Sequence, residues 1–305
     1  MKLCSIIVVT HNHLDLTKQC LDSIIKITDY APTEIIVVDS HSSDGTVEYL
    51  RSRTEIKLVC LDMNYPYSYS VNRGIEAAKG EYLCLINNDT IFVQPEWLKK
   101  LIQCAENDPR IGIVGPKLCK KDLSPSLVDA GRNIFPDTTD GTGFAVKPSN
   151  NNVTLVTYVV GACFLLKREL IRKIGFFDEK FFFAFDETDY CLRAWKAGFR
   201  VVYCTSSYVV HLGSQTFKIV TKNDYEYDVN KYEDSAKRFY TKHSSKDFEM
   251  VLKEIKGPLN FCLWYINYKV FKTLAKNSVV DGALHSFLRR FIAEDLDLNI
   301  SKLKK

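Results

Sequence analysis

The sequence predicts an α/β fold built on a mainly parallel β-sheet. Continuous apolar runs, typical of strands buried on both faces, occur at 5–10, 34–40, 56–61 and 82–86. A segment with the periodicity of an amphipathic helix separates each run from the next. This alternation over the first hundred residues implies parallel strands joined by right-handed crossovers.

The helices between these strands carry their own start and stop signals. Asp44 is placed to cap the second helix, and Gly80 follows the third, as is typical of a helix end. The apolar residues that mark these helices are Cys20, Leu21, Ile24 and Ile25 on one face of the first, Val47 and Leu50 in the second, and Val71, Ile75 and Ala78 in the third.

The middle of the chain is less regular. Residues 111–118 form another strand-like run, and 119–152 are rich in Asp, Gly, Pro, Ser and Asn, which predicts a long loop region. Residues 155–168 are strongly strand-like with an interruption at Gly161-Ala162, where a glycine often marks a bulge or a close backbone approach. A short helix then ends near Gly175, and an aromatic run leads into an acidic helix that ends at Gly198.

The chain divides into a main domain, residues 1–218, and a C-terminal helical extension, residues 219–305. Apolar residues recur at helical spacing in the extension. It holds 16 Lys/Arg and 12 Asp/Glu, so it accounts for the whole net charge of +4. This excess is too weak for a dedicated nucleic-acid-binding protein, so we expect no nucleic-acid partner, but it is compatible with an anionic membrane surface.

Composition indicates a soluble, cytoplasmic protein. No apolar run reaches the ~18–20 residues of a membrane span, and the N-terminus lacks the pattern of a signal peptide. The ten cysteines are scattered without a CxxC pair, which favours reduced thiols over a zinc site or a disulfide framework.

Polar clusters follow three of the predicted strands. They are Thr10-His11-Asn12, Asp39-Ser40-His41 and Asn87-Asn88-Asp89. One polar strand end is usually a turn or a cap. Because ligands bind outside the carboxyl ends of the strands in an open α/β sheet, three such ends at one edge favour a ligand site. Asp89 with Asn87 offers oxygen ligands for a hard divalent ion that also binds substrate phosphates.

A second acidic cluster opens the predicted helix after the aromatic run. Asp186, Glu187 and Asp189 have two interpretations: simple helix capping, or a general base beside a metal or a cationic substrate. The residues alone do not decide between them. His211 at another strand end is likewise either a structural histidine or a metal ligand.

Six segments in order resemble family 2 glycosyltransferases of the nucleotide-diphospho-sugar type, which have the GT-A fold. Within that family the chain is most similar to the bacterial rhamnosyltransferase-type branch that builds surface polysaccharides. The resemblance covers roughly residues 3–215. The segments are SIIVVTHN, IIVVDSHSSDGT, NRGIEAAKGEYLCLINNDT, IGIVGPKL, YVVGACFLLKRELIRKIGFFDEKFFFAFDETDYCLRAWKAGFRVVY and VVHLGS.

The resemblance implies where a nucleotide-sugar donor binds. Thr10, Asn12 and Asp39 fall where the family grips the base and ribose, and Asn72, Arg73 and Gly74 fall near the ribose and phosphates. Asn87-Asn88-Asp89 occupies the family's DxD motif, which holds Mg²⁺ or Mn²⁺ against the diphosphate. Asn87 replaces the first Asp here, so Asp89 is the expected metal ligand.

The resemblance also implies the catalytic groups. The family's acidic dyad, usually Glu-Asp, corresponds to Asp186-Glu187, and its second member, Glu187, is the expected base. Because both residue types are exchanged, Asp186 stays an alternative. His211 lies where this branch places a further metal ligand. The implied reaction is inverting transfer of a sugar from a UDP- or dTDP-sugar to a glycan or lipid-linked acceptor.

Three alternatives compete with this reading. A catalytically silent nucleotide-sugar-binding or scaffold protein is favoured by Asn87 and the exchanged dyad. A nucleotidyltransferase is disfavoured because the loop after the first strand, THNHLDLTKQ, has no Gly or Arg, and an NAD-dependent oxidoreductase because no GxGxxG follows that strand.

The extension has two interpretations of its own. The segment 258–271, PLNFCLWYINYKVF, is apolar, aromatic and flanked by lysines. It predicts either helices that pack on the main domain or on a second subunit, giving a homodimer, or a peripheral contact with the inner face of the membrane.

Overall fold

A mixed β-sheet forms the centre of the computed structural model, which describes residues 1–124, 153–182, 184–213 and 225–256. Nine strands are found within these ranges. They are β1 Cys4–Thr10, β2 Thr33–Asp39, β3 Ile56–Cys60, β4 Tyr82–Asn87, β5 Thr90–Ile91, β6 Ile111–Cys119, β7 Val153–Leu155, β8 Cys163–Lys167 and β9 Arg200–His211. Their order is β3-β2-β1-β4-β8-β6-β9-β5, and β7 pairs with β9.

Helices cover both faces of this sheet. Those in the described ranges are α1 Leu14–Ile27, α2 Thr46–Arg51, α3 Tyr67–Ala77, α4 Trp97–Glu106, α5 Arg168–Ile174, α6 Asp186–Lys196, α7 Tyr225–Lys242 and α8 Ser245–Lys256. None of them is long and apolar enough to cross a membrane.

The half of the sheet formed by β3, β2, β1 and β4 is parallel, as predicted from its apolar runs. The register pairs Thr10 with Asp39 across β1 and β2, and Val9 with Asn87 across β1 and β4. The polar residues that follow these strands therefore meet at one edge of the sheet, which is the edge where such folds bind ligands.

The interruption expected at Gly161-Ala162 within 155–168 is longer than a bulge, because β7 ends at Leu155 and β8 begins at Cys163. Between them the chain leaves the sheet, and the carbonyl of Ala162 accepts hydrogen bonds from the backbone N–H of Asn87 and the hydroxyl of Thr90. β8 then runs antiparallel to β4. The connecting segment therefore lies against the carboxyl end of β4, beside the polar edge.

α7 and α8 share a hydrophobic core with the rest of the fold. Phe239, Phe248, Val251 and Ile255 belong to the same buried cluster as residues of α3, α6 and the sheet. The described part of the extension thus packs on the main domain. The segment 258–271, all other residues after 256 and most of the predicted loop, 125–152, lie outside the described residues.

Close packing of α3 on the sheet gives a first testable prediction. A Cβ on Gly74 would overlap Ile7 Cγ2 and would lie 3.1 Å from Val38 Cγ2. Overpacking of this kind costs about 1–3 kcal/mol, against a gain of ~0.5–1 kcal/mol from replacing a helical glycine. We expect Gly74→Ala to lower the free energy of unfolding by about 1–2 kcal/mol in chemical denaturation.

The half-exposed Glu76 of the same helix provides the control, since its ion pair with Arg73 is a surface pair. Glu76→Ala should change the free energy of unfolding by no more than about 0.5 kcal/mol. Equal denaturation midpoints for Gly74→Ala and the unmodified chain would contradict the predicted contact between α3 and the sheet.

Candidate active site

Thr10 and Asn88 lie together at the carboxyl edge, and both are buried. The hydroxyls of Thr10 and Thr17 are 2.7 Å apart, and Asn88 Nδ2 donates to both, at 3.1 and 3.2 Å. These contacts tie the end of β4 to β1 and α1. Two residues predicted to bind the donor therefore make internal hydrogen bonds, and their contact with a nucleotide stays a prediction.

Asn12 and Asp39 hold the neighbouring turns. Asp39 is 1% exposed, and its carboxylate accepts hydrogen bonds from the backbone N–H of Ser42, at 2.9 Å, and from the Ser42 hydroxyl. Asn12 Oδ1 accepts from the N–H of Ser43 at 2.8 Å. Asn12 has a left-handed backbone with φ 53°, which asparagine tolerates better than most residues. The two side chains thus join the loops after β1 and β2.

Asn72, Arg73 and Gly74 support a loop and the core. Asn72 Oδ1 accepts from the backbone N–H of Phe177, and its Nδ2 donates to Phe177 O and to Glu179 Oε1. Arg73 also donates to Glu179, at 3.0 Å, and Gly74 lies directly on the sheet. A donor contact for these three residues stays a prediction, since the contacts seen are all within the protein.

Asp89 and His211 are far apart in the sequence but lie together in the structure. The pairing of β5 with β9 sets His211 opposite Thr90, and His211 Nε2 lies 3.3 Å from Asp89 Oδ1. The side chains are 10% and 8% exposed. Asn87 ends β4 two residues before Asp89, and its backbone carbonyl accepts a weak hydrogen bond from Cys20.

The donor atoms of Asp89 and His211, one oxygen and one nitrogen, are of types that Mn²⁺ accepts. In the described ranges, no three His, Cys, Asp or Glu side chains are grouped to hold a metal on their own.

The acidic pair stands at the start of α6. Ala184 and Phe185 have left-handed backbones, with φ 59° and 64°, so the chain turns sharply before the helix begins at Asp186. Asp186 is buried, and its Oδ2 makes no hydrogen bond. Gly161 lies beside the Glu187 carboxyl group, since a Cβ on this glycine would lie 3.7 Å from Glu187 Cδ. The segment between β7 and β8 thus contacts both the end of β4 and the acidic pair.

The pKa values of both carboxyl groups of the pair are raised. Burial is the main cause that raises the pKa of Asp186, and the charge of Asp189 adds to it. Burial and then the charge of Asp186 hold the pKa of Glu187 well above its ordinary value. The pair therefore retains one proton at a pH where exposed carboxyl groups are ionised.

Asp189 is more than a helix cap, contrary to the simpler interpretation of the acidic cluster. It is fully buried and contacts Arg193 Nε at 2.9 Å, Lys242 Nζ at 2.8 Å and His243 Nε2 at 2.7 Å. Burial acts to raise the Asp189 pKa, but the hydrogen bond from His243 and the charges of Arg193 and Lys242 lower it. Lys242 and His243 are residues that the sequence analysis did not single out.

Tyr67 is a second residue that sequence reasoning missed. Its hydroxyl oxygen is buried and has no hydrogen-bond partner. Burial, followed by the charges of Asp186 and Glu187, raises its pKa, so the phenol stays protonated beside the acidic pair. The neighbouring Ser68 hydroxyl donates to Phe181 O at 3.1 Å, which fixes the first turn of α3 against the loop before α6. No spacing pattern in the sequence marks this tyrosine.

Curated proteins with similar sequences include several polysaccharide enzymes. The chain is 30% identical over 220 residues to the O-antigen biosynthesis protein RfbC of Myxococcus xanthus, covering 68% of this chain and 17% of RfbC. It is 26% identical over 205 residues to an N-acetylglucosaminyl-diphospho-decaprenol L-rhamnosyltransferase of Mycobacterium tuberculosis, covering 59% of this chain and 66% of the relative. The O-antigen chain rhamnosyltransferase RfbN of Salmonella typhimurium is 24% identical, with coverages of 70% and 67%.

Solved structures show the same GT-A fold. A mannosyltransferase of Pyrobaculum calidifontis, in complex with GDP-Man and Mn²⁺, superposes with a TM-score of 0.61 at 17% identity, covering 96% of this chain and 80% of that one. GalNAc-T7 with UDP, GalNAc and Mn²⁺ gives a TM-score of 0.57 at 16% identity, with coverages of 69% and 44%. At this identity the likeness concerns the fold alone.

The family model described as glycosyl transferase family 2 matches residues 5–175, which is 171 of the 305 residues. Two of the relatives above are named rhamnosyltransferases, which agrees with the branch that the motifs resemble. The match spans the parallel half of the sheet, the carboxyl edge and the segment that contacts the acidic pair. The chain belongs to glycosyl transferase family 2.

Proposed function

We propose that this protein is a metal-dependent, inverting glycosyltransferase of surface-polysaccharide biosynthesis. It moves a sugar from a UDP- or dTDP-sugar to a hydroxyl group of a glycan or lipid-linked acceptor. The observation that carries the proposal is the segment between β7 and β8. Gly161 lies beside the Glu187 carboxyl group while the Ala162 carbonyl accepts hydrogen bonds from Asn87 and Thr90, so the acidic pair adjoins the strand end that bears Asp89.

The relatives support a sugar-transfer role without specifying the substrates. RfbC is named for O-antigen biosynthesis, and two others for rhamnosyl transfer. The chain spans only 24% and 17% of the first two curated relatives it matches, so the activity of the whole protein is itself part of the proposal. The cytoplasmic face of the membrane, where a soluble donor meets a lipid-linked acceptor, is the proposed location.

The acidic pair supplies the base. In the transfer, the acceptor hydroxyl attacks the anomeric carbon of the sugar and must lose its proton to a positioned carboxylate. Glu187 is the proposed acceptor of that proton, and the charge of the neighbouring Asp186 raises its basicity. A single displacement assisted by one base inverts the anomeric configuration.

Asp89 and His211 are the proposed protein ligands of Mn²⁺ or Mg²⁺. When bound, the ion would act as a Lewis acid and offset the charge that develops on the leaving diphosphate. Asn87 has no charge to contribute, so Asp89 carries the electrostatic part of the site. His211 is held beside it by the β5–β9 pairing.

A catalytically silent nucleotide-sugar-binding protein is the second candidate. It is favoured by Asn87 at the place of an acidic ligand and by the exchanged order of the acidic pair. Both candidates bind the donor, and only the enzyme consumes it, so turnover of the donor separates them.

Donor and metal binding is the second testable prediction. We expect thermal-shift measurements with UDP- and dTDP-sugars to show stabilisation that requires Mn²⁺, about 2.7 kcal/mol at ~100 times the Kd. Asp89→Ala should abolish the Mn²⁺-dependent part, and chelation with EDTA should abolish transfer. Asp29→Ala, which removes an exposed carboxylate, is the control. Full activity in EDTA would disprove the metal dependence.

The assignment of the base is the third prediction. Glu187→Gln preserves the size of the side chain and removes its basicity, so the rate of donor turnover should fall by about 10²–10⁴-fold. The thermal shift produced by donor should stay unchanged. Glu169→Gln, an exposed glutamate of α5, is the control. If Asp186→Asn is crippling and Glu187→Gln is mild, the two roles are reversed.

The pH dependence is the fourth prediction. The base is active only when deprotonated, and its pKa is raised, so the acid limb of the turnover rate should lie above the ordinary glutamate pKa of 4.5. Asp186→Asn removes one charge that raises this pKa, and the acid limb should move to lower pH. An acid limb that stays in place would contradict the coupling.

The raised pKa values of the acidic pair also make the free energy of unfolding depend on pH. Because the folded state binds these protons more tightly than the unfolded chain does, the contribution of the pair to stability is fully present below the ordinary carboxyl pKa. It is lost as the pH rises through the raised pKa of Glu187. The change in unfolding free energy with pH should therefore be smaller in Glu187→Gln.

A further inference from the structure

Two phenylalanines point to solvent from the loop between α5 and α6. Phe176 is 42% exposed and Phe182 is 43% exposed. Of the other aromatic residues described in this loop, Phe177 and Phe181 are buried and Phe185 is partly buried. No other Phe, Tyr or Trp whose side chain is described is classed as exposed. Exposed aromatic groups concentrated in one loop mark a contact surface.

Positive charges accompany these two rings. Arg172 and Lys173 at the end of α5 and Lys180 in the loop are exposed, and none of them forms an ion pair with a described residue. Lys231 of α7 adds a fourth cation, with its Nζ 3.5 Å from the centroid of the Phe182 ring. We call Arg172, Lys173, Phe176, Lys180 and Phe182 the aromatic–basic surface.

The acidic residues of the loop do not neutralise this surface, because they are engaged elsewhere. Asp178 accepts from Arg238 at 2.7 Å and from Lys242 at 2.8 Å, both in α7. Glu179 is bound by Arg73 and Asn72 of α3. Both acidic residues of the loop are therefore paired with groups of α3 and α7, whereas Arg172, Lys173 and Lys180 are not paired with a described residue.

Hydrogen bonds and ring packing fix the backbone of this loop in the conformation that exposes Phe176 and Phe182. Arg193 Nη2 donates to Phe176 O at 2.8 Å, and the Tyr190 hydroxyl donates to Gly175 O at 3.0 Å. Phe177 stacks on Tyr190 with ring centroids 4.0 Å apart. Phe182 lies only four residues before Asp186, so whatever binds this surface is held close to the acidic pair.

We propose that the aromatic–basic surface docks the protein on an anionic lipid bilayer. Phe176 and Phe182 enter the boundary between headgroups and acyl chains, and the cations face the anionic headgroups, which is the combination that peripheral membrane surfaces use. The inference rests on the proposed function only for the role of docking, which is to bring the acidic pair to a lipid-linked acceptor.

Vesicle co-sedimentation of the full chain tests the surface. We expect binding to vesicles of equal parts phosphatidylglycerol and phosphatidylcholine in ~0.1 M salt and release in ~1 M salt, where the Debye length falls from about 10 Å to about 3 Å. Pure phosphatidylcholine vesicles should bind poorly. Replacing Arg172 and Lys173 by Gln should lower the partition coefficient about fivefold for each charge removed.

The double substitution Phe176→Ser with Phe182→Ser should reduce vesicle binding at least tenfold while the melting temperature stays within a few degrees. Its matched control is Ile25→Ser with Val93→Ser, which replaces two apolar residues that are 39% and 40% exposed. Ile25 lies on α1, whose buried residues belong to the core on the other face of the sheet. The control should bind vesicles as the unmodified chain does.

Several outcomes would overturn the membrane inference. One is no binding to anionic vesicles in ~0.1 M salt, and another is full binding by the double phenylalanine variant. A dimer that this variant converts to a monomer, with no vesicle binding by either form, would make the surface a protein–protein contact. The donor-induced thermal shift is measured in parallel, and its loss with vesicle binding intact counts against the proposed function alone.

Discussion

The arrangement of the helices around the candidate active site depends on one buried group, the carboxylate of Asp189. Three cationic or hydrogen-bonding side chains converge on it, one from α6 and two from the junction of α7 and α8. Breaking one partner of such a buried cluster costs about 3–5 kcal/mol, because it leaves an uncompensated charge in the core. Asp189 lies one helical turn after Asp186, so the cluster also fixes the helix end that presents the acidic pair.

Periodicity was enough to predict the parallel half of the sheet, because each of its strands is an apolar run buried on both faces. It was insufficient at 155–168, where the residues are equally apolar but the backbone is drawn to the end of β4 by hydrogen bonds from Asn87 and Thr90. The apolar content of a segment indicates that the segment is buried, but it does not indicate which of its backbone groups form hydrogen bonds with which others. The fold class therefore follows from the sequence, and this local departure does not.

The candidate site shows a similar division. The strand ends and the acidic pair were visible as polar residues at the ends of apolar runs, and the motifs gave them roles. Lys242 and His243 were not visible, since their meaning comes from a contact with Asp189, more than fifty residues away in the chain. Tyr67 was hidden for the same reason, because a lone tyrosine in a polar segment acquires significance only through its neighbours in space. The structure adds that several of the motif residues, such as Asp39 and Asn72, form hydrogen bonds that hold loops beside the candidate site.

Burial raises the pKa of both Asp186 and Glu187, so it favours the protonated form of the pair. Under the proposed mechanism, a protonated pair would not activate a stray water molecule. Burial of the pair would then protect a bound donor from hydrolysis until an acceptor is present.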